Sequence, residues 1–125
     1  MVGFTACTSE EIIYNIDDVI QFPSIESNFG TYYNGQTGIF LCPYDGVYMF
    51  FCSVVGAGVW PGAKLMREVS NMIGMEADVS STSASNTVIS ECLRGQRVWV
   101  RQRYDDEAVD CCDRSAFSGY LLHRY

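Results

Sequence analysis

The chain has 125 residues, enough for one domain spanning 1–125 with its own core. Its 48% hydrophobic and 14% aromatic content, against 18% charged residues, excludes a disordered chain. A formal charge of −7 repels a phosphate backbone and argues against nucleic acid as a partner.

In chain order, the first patterned segment is Glu10 to Ile20. Ile12, Ile16, Val19 and Ile20 recur at helical spacing behind Ser9, a candidate N-cap, while the β-branched content weakens a helix. Turn signals follow at short intervals: Asn34-Gly35, Thr37-Gly38, Pro43 to Gly46, Pro61-Gly62, Gly74, Ser80 to Asn86, Gly95, and Asp105 to Asp113. Between them, Gly46 to Cys52, Asn86 to Leu93, Val98 to Arg103 and Phe117 to His123 are predicted as strands. In the third of these, Val98, Val100 and Gln102 are expected on one side, with Trp99, Arg101 and Arg103 on the other. Many short strands at this spacing predict an all-β sandwich or jelly roll.

No apolar run reaches the roughly 18 residues that a membrane helix needs, and no secretory leader is visible at the N-terminus. The six cysteines are Cys7, Cys42, Cys52, Cys92, Cys111 and Cys112. An even count permits three disulfides and suits an oxidising compartment, with the pairing open. There is no Cys-x-x-Cys and His123 is the only histidine, so zinc is not expected. Adjacent Cys111 and Cys112 leave several options: a strained ring, a bond to another chain, separate bridges or free thiols.

Asp105, Asp106, Glu107, Asp110 and Asp113 place five of the 15 carboxylates within one short stretch. Hard oxygen ligands on a loop suit calcium, although the spacing is not that of an EF-hand; the alternative is a solvated acidic surface. Catalysis has little support. There is no G-x-S-x-G elbow, no phosphate-binding glycine loop and no dinucleotide fingerprint. No Asn-x-Ser/Thr sequon is present either.

Phe22, Asn28, Tyr33, Phe40, Gly46, Tyr48 and Phe50 carry the aromatic signature of the C1q globular-head family, at that family's spacing, and Cys52 stands at its last aromatic position. Gly95-Gln96-Arg97-Val98-Trp99-Val100 resembles the family's entry into a late strand, with Gln96 in place of an acidic residue. Ser115 to Leu122 is similar to its closing strand, and Gly3 to Ala6 to its opening one. The resemblance implies a ten-stranded jelly-roll sandwich, akin to tumour necrosis factor, that assembles as a homotrimer. It also makes Glu10 to Ile20 strand and loop. Phe117, Tyr120, Leu121 and Leu122 would then face the core on one side and a neighbouring subunit on the other.

The same resemblance makes the strands of Cys52 and Cys92 neighbours in one sheet, with both side chains inward. A bridge between them and two reduced thiols both stay open, and Cys42 defaults to a buried free thiol. In several family members the acidic loop holds calcium, which would assign Asp110, Asp113 and Asp105 as ligands here; Arg114 intrudes where some relatives are acidic. The family implies a secreted, non-enzymatic module that binds through surface loops on a rigid trimer. Its expected activity is lectin-like recognition of glycans or microbial surfaces. A signalling ligand of the adiponectin or cerebellin type, binding a receptor protein, is the alternative, and a matrix-building trimer a third. Tyr32, Tyr33, Trp60, Tyr104, Arg101 and Arg103 are the candidate contacts, since rings stack on sugars and guanidinium groups pair with acidic ones.

Overall fold

The computed structural model describes residues 1–56, 61–68, 70–76, 83–103, 107–109 and 115–125. The early strands are β1 (Gly3–Cys7), β2 (Ile12–Tyr14), β3 (Ser24–Phe29), β4 (Tyr33–Asn34), β5 (Ile39–Leu41) and β6 (Gly46–Val55). They are followed by β7 (Gly62–Arg67), β8 (Ser70–Glu76), β9 (Ser83–Cys92), β10 (Arg97–Gln102), β11 (Glu107–Val109) and β12 (Ala116–Arg124). Two five-stranded sheets form, in the orders β3-β1-β12-β6-β9 and β4-β5-β10-β7-β8. That is the ten-stranded jelly-roll sandwich expected from the sequence, with β2 and β11 added as a small ribbon.

Alternation places the core. Along β6, Tyr48, Phe50, Cys52 and Val54 are buried while their neighbours are half-buried, and on β10 Val98, Val100 and Gln102 point inward as expected. The large rings then lock the layers together. Phe4 of β1 stacks on Tyr33 of β4 at 4.5 Å and on Phe40 of β5 at 5.0 Å, both across the gap between sheets. Phe117 of β12 meets Phe4 edge-on at 4.8 Å. Offset and edge-to-face rings of this kind add about 0.5–1.5 kcal/mol per pair beyond their buried area. Space for Phe50 comes from Gly119, where an added Cβ would fall 2.5 Å from the ring.

The polar members of the aromatic signature serve the same interior. The Asn28 amide donates to the Tyr33 carbonyl at 2.8 Å and accepts from the Tyr33 N–H at 3.3 Å, standing in for a backbone partner. The Tyr33 hydroxyl donates to the Phe22 carbonyl at 2.9 Å. The Tyr48 hydroxyl donates to the Tyr44 carbonyl at 2.7 Å and so fastens the β5–β6 loop.

Residues 10–20 are strand and loop rather than helix. After β2 the chain turns through Asp17, whose φ is 72°, and then runs beside β10: Ile20 N–H donates to the Val100 carbonyl, and Gln102 N–H to that of Asp18. A backbone partner on β10 therefore outweighs the local helical spacing. Gly74, expected in a turn, lies inside β8 instead, where Arg103 Nη1 covers it.

The disulfide corrects two expectations. Cys42, just past β5, is bonded to Cys92 at the end of β9, with Cα atoms 6.5 Å apart. Cys42 is therefore not a free thiol, and Cys92 does not pair with Cys52. The register gives the reason: Cys92 stands opposite Gly46, while Cys52 stands opposite Asn86. Six residues of strand separate the two, or roughly 20 Å, against a limit of about 7 Å. Because β5 and β9 belong to different sheets, the bridge ties one end of the sandwich shut. It closes a sequence separation of 50, worth about 4 kcal/mol on the chain-entropy estimate. Replacing both cysteines (Cys42→Ser, Cys92→Ser) should lower stability by about 2–4 kcal/mol and Tm by roughly 10 °C. Calorimetry checks this, and an unchanged Tm would show the bridge to be dispensable.

Candidate functional site

The outer faces of the two sheets differ in chemistry. On the first sheet the register aligns Phe29, Gly3, Tyr120, Met49 and Ile89 in one row crossing all of its strands. Phe29 is 53% exposed, Tyr120 43% and Ile89 63%. The Tyr120 hydroxyl lies 4.0 Å from Met49 Sδ, so the row holds together without a charge. Leu122, also exposed, follows Tyr120 on β12. Between Phe29 and Tyr120 in the row, Gly3 carries no side chain, and beside it a groove of about 810 Å³ opens, lined by Val2, Phe29, Tyr120 and Leu121 among others. A contiguous apolar strip on a chain of this charge marks a contact surface rather than a solvated one.

The second sheet is charged and internally paired. On β10, Arg97 meets Glu68 at 2.9 Å and Arg101 meets Asp17 at 3.1 Å, and just past its end Arg103 meets Glu76 at 3.2 Å. Hydrogen bonds from Arg97 hold the Glu68 carboxyl below its ordinary pKa. The Arg101–Asp17 contact is an ion pair without hydrogen-bond geometry. Arg101 and Arg103, both candidate ligand contacts, therefore share one face. Tyr32 is partly buried and lies far from them. Its carbonyl accepts from Leu41, which pairs with Arg97 at the other end of β10, roughly 13 Å along the strand from Arg101. Tyr33 must be removed from the contact set. It is buried, stacked on Phe4 and bonded to Phe22, and burial pushes its phenol well above the usual range.

A family model, the C1q domain, matches residues 3–122. The chain belongs to the C1q domain family. It is 26% identical over 114 residues to Caprin-2 of Danio rerio, covering 87% of this chain and 12% of the relative. Against Complement C1q tumor necrosis factor-related protein 3 of Mus musculus it is 30% identical over 115 residues, or 86% of this chain and 46% of the relative. The chain thus spans well under two thirds of these relatives' length. Among solved structures, the globular domain of zebrafish complement 1qA superposes with a TM-score of 0.84 at 20% identity, each chain covered fully. Eiger TNF from S. frugiperda follows at 0.80 and 13% identity, with 99% of this chain and 94% of that one covered. At these identities the structures establish the jelly-roll fold that this C1q domain shares with them.

Several expected site residues of this C1q domain lie outside the described residues: Trp60, Tyr104, the acidic positions Asp105, Asp106, Asp110 and Asp113, and Cys111, Cys112 and Arg114. The residues of the apolar row were only partly anticipated. Tyr120 and Leu122 follow from the closing strand, whereas Phe29, Met49 and Ile89 become a surface only when register aligns them. Their signal in the sequence was alternation in the flanking strands.

Cys52 is fully buried and unpaired, and burial alone pushes its thiol well above the ordinary cysteine value. A protonated, enclosed thiol is a poor nucleophile. Native protein treated with iodoacetamide should therefore leave Cys52 unmodified, and denatured protein should label it fully, as read by peptide mass spectrometry. Labelling in the native state would contradict its burial.

Proposed function

We propose that this C1q domain is an extracellular recognition module that works as a homotrimer and binds glycans or microbial surface patterns. The observation that carries the reading is the asymmetry of the sandwich: one outer face is an uncharged apolar row, the other an ion-paired charged surface. An apolar sheet face of this width is favourable when covered by copies of itself, and a cyclic trimer covers it three times over. The ion-paired sheet and the loops at the ends of the sandwich stay in water and are free to meet ligands. Three copies then turn weak single-site contacts into useful avidity.

The role proposed is binding rather than catalysis, in keeping with the family. His123 is exposed at the end of β12 with its ring edge-on to Tyr125, and among the described residues it makes no hydrogen bond to a serine or carboxylate. Calcium on Asp105, Asp110 and Asp113 belongs to the proposal as the ion these carboxylates would hold. A second reading, a signalling ligand that engages a receptor protein, is favoured by the 30% identity to the tumor necrosis factor-related relative.

Two measurements test these points. A charge placed within the apolar row, as in Tyr120→Asp or Ile89→Arg, should convert a trimer to a soluble protomer in light scattering. A wild-type protein that is itself monomeric at micromolar concentration would overturn the assembly. A glycan array run with and without EDTA, beside a screen of membrane receptors, separates the activities. Glycan hits without receptor hits support recognition of surface sugars, and the reverse supports signalling. Hits that vanish in EDTA, with a drop in Tm, support calcium; hits and Tm indifferent to EDTA remove it.

A further inference from the structure

Four of the eight lysine and arginine side chains of this chain are already engaged. Arg97, Arg101 and Arg103 sit in ion pairs, and Arg67 donates to the Ser90 hydroxyl and the Glu91 carbonyl. Arg94 and Arg124 are different: among the described residues neither has a carboxylate within ion-pair distance. Yet these two arginines converge on one cleft of about 250 Å³, whose other walls are Tyr44, Asp45 and Tyr125. On a chain of net charge −7, this cleft sets two arginines against one wall carboxylate, Asp45, and so is locally positive.

The nearby carboxylates keep their charge, but their hydrogen bonds come from neutral donors. Asp45 Oδ1 accepts the Arg94 backbone N–H at 2.7 Å, and Glu91 Oε2 accepts the Tyr125 hydroxyl at 2.7 Å. The Arg124 guanidinium carbon lies over the Tyr44 ring, 3.8 Å from its centroid. A stacked guanidinium keeps the N–H donors in its plane directed outward, as a fork that matches a carboxylate. The walls are also held in place. Tyr44 and Asp45 follow Cys42 within the same loop, Arg94 lies two residues after Cys92, and the disulfide joins the two. The Gly95 N–H bonds to the Cys42 carbonyl, Cys42 N–H to Gln96, and Tyr125 N–H to the Asp45 carbonyl. Little ordering therefore remains to be done on binding.

We propose that this cleft at the end of the sandwich binds the carboxylate of an acidic sugar, with Arg94 and Arg124 on the anion and the Tyr44 and Tyr125 rings beside the sugar ring. The carboxylate site stands on the geometry; the sugar as its carrier rests on the glycan reading above. None of these residues belongs to the apolar row, although Tyr44 and Arg124 also border the neighbouring groove, and the loop carboxylates assigned to calcium are elsewhere in the chain.

The test titrates free glucuronate, with glucose as the neutral control, into the intact protein, following amide shifts by NMR at low and high salt. Glucuronate should shift the amides of residues 44–45, 94 and 124–125, glucose should not, and added salt should weaken the effect. The pair Arg94→Ala and Arg124→Ala should weaken binding by roughly tenfold or more, and Arg124→Lys alone by several-fold, because a lysine loses the stacked fork. Both arginines are exposed, so an unchanged Tm confirms that the variants fold. Glucose shifting the same amides, glucuronate binding undiminished in the double variant, or no glucuronate shift in the wild type would each overturn the site. The glycan array fails separately: hits that persist in the double variant leave surface recognition intact and remove this cleft from it, whereas an empty array with arginine-dependent glucuronate binding keeps the carboxylate site and removes the glycan role.

Discussion

Two antiparallel sheets become one body here because aromatic rings from each interlock in the space between them. Phe4, from the second strand of one sheet, lies face to face with Tyr33 and Phe40 from the other, and Phe117 closes the group edge-on. Rings this large leave no room for error: Gly119 must be bare so that Phe50 can lie over it. Polar groups drawn into this layer, the Asn28 amide and the Tyr33 and Tyr48 hydroxyls, spend their hydrogen bonds on backbone. Everything outside the layer depends on it, since it sets which side chains are left facing out.

The ends of the sandwich are treated differently from its middle. At one end the Cys42–Cys92 bridge joins the layers covalently, and the short segments that follow the two cysteines carry Tyr44, Asp45 and Arg94. A rigid frame with polar side chains on its rim is a suitable base for recognition, because the ordering cost has been met in folding and not at binding. The flat faces divide the remaining tasks. One is greasy and continuous, the other saturated with ion pairs, and only the first has something to gain from a second copy of the chain.

Much of this was legible from residue order. The period-two burial of Gly46 to Val55, the opposed faces of Val98 to Gln102, and the closing strand with apolar groups on both sides follow from local pattern. Errors arose wherever distant segments had to be aligned. Cys52 and Cys92 do lie on adjacent strands, but register sets them far apart. Tyr33, an aromatic beside turn residues, reads as a surface contact until Phe4 is found stacked on it. Segment 10–20, by contrast, is strand and loop as expected despite its helical spacing, and β10 supplies the backbone partner that makes it so.

Residue order by itself determined the all-β class, the strand faces and membership of the C1q domain family, because alternation and ring spacing are local properties that survive translation into any register. Tertiary structure alone decided the disulfide partner, the apolar row across the first sheet and the convergence of Arg94 with Arg124. Each of those is a distance between residues far apart along the chain, and such distances exist only once hydrogen-bonded register and the packed rings have brought the strands together.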